Sequence, residues 1–143
     1  MVATLRTVGS ILAGLALALV LVIAVEMVSA VVHPVPTDFG GTMEEMCRHV
    51  ERYPQWFLAL VVPAWAATTF ASMWLAGRIG GRGSSAVVGL ILLAGVVYNV
   101  AKLPYPAWFK VATLIAIPAA IYLGLRSRRK ASAVNSEDQR VGL

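Results

Sequence analysis

Four stretches of the chain, residues 8–32, 56–76, 86–101 and 107–125, run long and apolar with few charges. A bilayer core about 30 Å thick is crossed by roughly 20 apolar residues in helical form. Each stretch meets or approaches that length, so the sequence predicts an all-α, polytopic membrane protein with four transmembrane helices. Composition agrees: only 13% of the residues are charged, against about 25% in soluble domains. Four spans use up most of the chain. What remains is one transmembrane domain over residues 1–125 and a tail over 126–143 that reads as disordered and cytoplasmic, with no room for a second globular domain.

The formal charge of +5 would suit nucleic acid, but the distribution of the charges points elsewhere. Arg6, Arg78, Arg82, Arg126, Arg128, Arg129, Lys130 and Arg140 flank span ends on one predicted side. The other side holds Arg48, Arg52, Lys102 and Lys110, together with Asp38, Glu44, Glu45 and Glu51. Lys and Arg close to span ends favour the cytoplasm. The bias predicts a multi-pass protein of the bacterial cytoplasmic membrane with both termini inside, its partner the lipid bilayer rather than nucleic acid. The basic tail would also attract anionic head groups. With Cys47 the chain's one cysteine, no internal disulfide forms. Cys47 reads as a small residue on a loop helix, the alternative being a reactive or intermolecular thiol.

Along the chain, Arg6, the apolar run 11–25 and Val28, Ser29 and Ala30 also fit the layout of a cleaved signal peptide. The run continues past Glu26 to Val32, which favours a retained helix. His33, Pro34, Val35 and Pro36 end that helix, because proline lacks an N–H and biases its predecessor away from α geometry. Thr42 and Glu45 then carry the signature of a capping box. The helix predicted over 43–53 lines up Met43, Met46, Cys47 and Val50 on one stripe, as an amphipathic segment along the outer interface or over the bundle mouth would. Tyr53, Trp56, Tyr105 and Trp108 read as interfacial anchors.

The second span places Ala64, Thr68, Ser72, Ala76 and Gly80 at every fourth position. In lipid, small residues let helix backbones approach for dispersion contact. The first span offers Ser10, Gly14 and Ala18 as a matching set, so the stripe predicts pairing within the chain, with homo-oligomerisation as the alternative. Gly80, Gly81, Arg82, Gly83, Ser84 and Ser85 read as a flexible turn and lack the lysine of a phosphate loop. Pro63 and Pro118 fall inside spans, where neighbouring helices re-satisfy the freed carbonyl.

Glu26 is the one acid within a span. A carboxylate near the bilayer centre costs about 2.5–3.5 kcal/mol on insertion scales and seeks a partner or water. Glu26 and His33 share a helix face nearly two turns apart. Asn99, Lys102 and Lys110 fall at similar predicted depth, and the five are expected to form one intramembrane polar cluster with a Glu26–Asn99 or Glu26–Lys102 pair. Glu45 and His49, four apart, are the only hint of a metal-ligand pair, and they fit an exposed ion pair better. No catalytic or cofactor-binding motif stands out, and no metal or cofactor is expected.

Glu26, His33-Pro34, Gly77, Gly80-Gly81 and the string Pro104, Tyr105, Pro106, Ala107, Trp108 together give a layout that resembles small, uncharacterised bacterial integral membrane proteins with four helices. That resemblance implies the bundle fold and no particular activity. Small multidrug-resistance transporters also have four helices and an acid in the first. Here the acid sits nearer the outer end, and the first loop is longer and carries a helix. Three functions remain open. The first is a non-enzymatic accessory protein binding a membrane partner or itself through the small-residue stripes. The second is a small-solute or proton-linked carrier using Glu26. The third is a membrane enzyme acting on lipid or quinone at the outer interface.

Overall fold

A computed structural model of the chain describes residues 2–141, with side chains for residues 2–127. Its elements are five helices: α1 (Val2–Val32), α2 (Met43–Glu51), α3 (Gln55–Gly80), α4 (Arg82–Lys102) and α5 (Ala107–Val141), with no strand among the described residues. Four of them, α1, α3, α4 and the part of α5 over Ala107–Ser127, are long and apolar enough to cross a bilayer. Those four segments are the architecture of a multi-pass membrane bundle. Of the residues expected as a disordered tail, 126–141 fall within the bounds of α5, residues 142 and 143 lie outside the described residues, and so do the side chains from Arg128 on.

The helices outrun the apolar stretches that announce them, because hydropathy marks the hydrocarbon core while the backbone ladder continues to the next breaker. α1 has 31 residues, about 46 Å at 1.5 Å per residue, and ends just before His33 and Pro34. α3 ends at Gly80 because Gly81 has φ +83°, a left-handed conformation that glycine adopts without a Cβ penalty. The turn between α3 and α4 is this single residue, not the six-residue flexible segment the sequence suggested. Ser84 and Ser85 are buried in the first turn of α4. Closing so sharp a turn pulls that turn into the bundle.

α3 is the central helix. It packs on α1 and α5, while α4 touches all three, and among the described residues no contact joins α1 to α5. At the end where α1 begins, small residues set the spacing. A Cβ on Gly14 would stand 2.9 Å from the Ala76 Cβ and from the Ser72 carbonyl oxygen. Ser10, Gly14, Ala18, Thr68, Ser72 and Ala76 are all buried. The small faces of α1 and α3 therefore pack on each other, with Gly80 against Ser10 and Ala64 half-buried farther along. Met73, fully buried, fills the space left by Gly89 and Gly124. Arg6 donates through Nε to the Ile79 carbonyl and ties the first turns of α1 to the end of α3.

The opposite end, with α2 and the loop between α4 and α5, is built from rings. Phe57, Leu58, Val61, Val100 and Phe109 form its core, with Tyr53, Trp65 and Tyr105 packed against it. Around the outside the helices present apolar side chains. Only 17% of the most apolar stretch of α1 is buried, against 33% for α3. Such exposure suits lipid as the surrounding solvent.

Candidate functional site

The polar residues of the bundle gather at the loop end, where α1 finishes, α2 crosses and α3 begins. α2 is started by a capping box: the Thr42 hydroxyl accepts from the Glu45 N–H, and the Glu45 carboxylate accepts from the Thr42 N–H at 3.0 Å. Those bonds lower the affinity of Glu45 for a proton, the backbone bond from Thr42 being the largest cause. Its carboxylate is thus spent on the cap and not on a metal or an ion pair with His49. Among the described residues no group of His, Cys, Asp and Glu is arranged to hold a metal ion.

α2 makes no close backbone contact with the spanning helices and is held by side chains. Its inward residues are His49 and Val50. Met43 and Met46, expected on the same stripe as Val50, are 59% and 38% exposed, and Cys47 is half-buried. The helix is rotated so that the imidazole rather than the methionines meets the bundle, because His49 finds a ring to stack on. His33 and His49 lie 4.4 Å apart with an interplanar angle of 23°. His33 Nε2 lies 3.2 Å from the His49 carbonyl oxygen. A carbonyl only accepts, so Nε2 carries the proton. Burial, and secondly the neighbouring His33, hold His49 below the usual histidine range.

Tyr53 continues the ladder, 4.7 Å from His33 and 5.3 Å from His49. Its hydroxyl bonds to Ser29 Oγ on α1, and its ring stacks on Phe57 of α3 at 5.9 Å. A second ladder, Tyr105, Phe109 and Trp65, runs beside it. Glu26 sits in the crevice between the two, which is also lined by Ser29, Tyr53, Trp65 and Tyr105. Burial pushes the Tyr105 phenol well up, with Tyr53 and Glu26 adding to it. Tyr53 is raised by burial too, against the opposing Ser29 bond, with Glu26 adding a smaller push upward. Both phenols are therefore neutral beside the acid.

The five residues expected in one polar cluster divide. Glu26 and His33 come to the same end of α1, and Tyr53 stands beside both. No hydrogen bond or ion pair joins Glu26 to Asn99, Lys102 or Lys110 among the described residues. Asn99 keeps a buried, unpartnered Oδ1. Lys102 is exposed and stands 5.9 Å over the Tyr98 ring, and Lys110 is half-buried in the first turn of α5. The reason is position: the residues that line the Glu26 crevice come from α3, from Tyr53 just before it and from Tyr105 in the loop before α5, and Asn99, Lys102 and Lys110 are not among them. Ser29, His49, Tyr53 and Tyr105 are the members that sequence reasoning passed over or took for anchors. The spacing of His49, Tyr53 and Phe57 at i, i+4 and i+8 was the signal.

No protein-family model matches the chain, and no curated protein or solved structure matches it either. The functional reading therefore rests on the geometry.

Proposed function

We propose that the chain is a non-enzymatic accessory protein of a membrane complex, docking on a partner membrane protein through the face of α1 that carries Glu26. The observation that carries this is an acid that none of the described residues bonds. Glu26 is exposed on the helix whose apolar stretch is least buried, and none of the described residues gives it a cation. A carboxylate at that depth, about 9 Å of helix before Val32, needs protein or water around it. The small-residue stripes do not supply the docking face, because α1 and α3 already use them on each other.

In this reading both termini lie in the cytoplasm of a bacterium, by the placement of Lys and Arg. α2 then lies along the outer interface with Met43 and Met46 toward the head groups. The partner would offer a cation or a strong donor in the outer half of its own span; a second copy of this chain is the other outcome. A photo-crosslinking residue at Met27, 67% exposed beside Glu26, tests it in native membranes. The expected result is a defined protein adduct that disappears when Glu26→Leu is added. The same probe at Leu123, 54% exposed on α5, should label lipid only. If Met27 also labels lipid only, the docking reading is wrong.

A further inference from the structure

The second polar feature of the loop end is an open cavity of about 270 Å³ between α2 and the segment that follows α1. It is lined by His33, Asp38, Glu45, Arg48, His49 and Arg52, with Pro34, Pro36 and Phe39 completing the wall. The stacked imidazoles are one part of that lining, and the charges lie around them. Arg48 has Glu44 four residues before it, the spacing that favours a helical ion pair, yet no ion pair involves either arginine among the described residues. Asp38 is also without a hydrogen bond or a cation. Glu45 is held in its cap. The cavity thus presents the guanidinium groups of Arg48 and Arg52 and the carboxylate of Asp38, with the capped Glu45 carboxylate near enough to feel the Arg48 charge, at the level where α1 and α3 meet their loops.

A guanidinium fork matches the oxygens of a phosphate in bidentate fashion and is less strongly hydrated than an ammonium. A carboxylate beside it matches an N–H-bearing cation. The size lies below the roughly 300–1,000 Å³ of pockets for drug-sized ligands, which suits a small head and not a whole lipid. From this pairing of charges we infer that the cavity binds a phosphate ester carrying a primary ammonium group. The phosphate sits on Arg48 and Arg52 and the ammonium on Asp38. The chemistry is that of an ethanolamine phosphate, either as a phospholipid head group or as the free ester.

The test uses the full chain in detergent, titrated with phosphatidylethanolamine, phosphatidylcholine and phosphatidylglycerol and followed by native mass spectrometry. The expected order places phosphatidylethanolamine first, because the choline cation has no N–H to give Asp38 and the glycerol head has no cation. The double variant Arg48→Gln/Arg52→Gln should bind it about tenfold more weakly, the scale of one lost charge-assisted pair. Asp38→Asn should bring the ethanolamine and choline lipids to about equal retention. Glu44→Gln should change nothing, and circular dichroism on each variant establishes that the helices persist. Free O-phosphoethanolamine is then added as competitor. Displacement identifies a head-group site open to the soluble ester, whereas Arg-dependent lipid binding without displacement identifies a membrane lipid. Retention that ignores Arg48 and Arg52, or a wild-type chain that does not prefer phosphatidylethanolamine, overturns the assignment. The proposal is independent of the docking face on α1, since Glu26 lines a different crevice.

Discussion

At the scale of single residues, the packing of α1 on α3 depends on what a side chain would strike. A methyl on Gly14 meets the Ser72 carbonyl and the Ala76 Cβ, neither of which can turn aside. Gly14→Ala should therefore lower the thermal stability of the purified protein in detergent, by about 1–3 kcal/mol for an overpacked contact. Gly9→Ala, with nothing within 4 Å of its Cβ, should be neutral or gain up to about 1 kcal/mol from helix propensity. Ser72 is fully buried and its hydroxyl has no hydrogen-bond partner. Ser72→Ala should thus be tolerated, whereas Ser72→Leu should drive the backbones apart and unfold the bundle at a lower temperature. Equal melting of Gly14→Ala and Gly9→Ala would show that α1 does not sit on α3 in this register. Glu26 gives the opposite expectation. Because none of the described residues bonds its carboxylate, Glu26→Leu should leave the melting temperature unchanged or raise it while abolishing association with the partner. A marked loss of stability would mean that the acid holds this bundle together.

Among the elements, α2 is the one whose attachment can be titrated. It is fastened by the ring ladder and by Val50, without close backbone contact to the spanning helices. His49 is held below its ordinary value of 6.5 by burial. The unfolded or undocked segment therefore binds a proton first as pH falls. Stability rises with pH wherever the open state binds more protons. The docking of α2 should be fully present above the usual histidine range and weaken as pH drops below about 6.5. Hydrogen exchange of α2 amides, corrected for intrinsic rates, should show lost protection between pH 7.5 and 5.5, and His49→Gln should flatten that dependence. Protection that does not change with pH would place the His33–His49 stack outside the forces that hold α2. Thr42→Ala should loosen the first turn of the same helix at every pH, by about 1 kcal/mol for a lost N-cap.

For the whole molecule, the two ends of the bundle are built differently. Glycine, alanine and serine bring α1, α3 and α4 close at one end, while aromatic rings fill the other. An apolar groove of about 570 Å³, lined by small and branched residues of α1 and α3, opens along their seam. Both polar crevices open at the ring-built end, and the proposed orientation puts that end outside the cell. A membrane-impermeant thiol reagent should accordingly label Cys47 on intact cells, and a reporter fused after Leu143 should behave as cytoplasmic. A C-terminal reporter active outside the membrane would reverse the orientation and with it the leaflet assigned to both crevices.

The sequence by itself determined what local rules control. The four apolar stretches, the stop at His33 and Pro34, the Thr42–Glu45 cap and the small faces of α1 and α3 were all visible in it. Each depends on residues within a few turns of one another or on total hydropathy. Only the tertiary structure decided how each helix is rotated about its own axis. In a soluble protein the apolar stripe fixes that rotation, but in lipid the outward face is as apolar as the inward one. Nothing in α1 alone says whether Glu26 turns to Lys102, to Tyr105 or to a partner. The stripe of α2 likewise left open which of its members turn to the bundle: Val50 does, Met43 and Met46 stay outside, and the ring stack of His49 on His33 and Tyr53 sets the rotation.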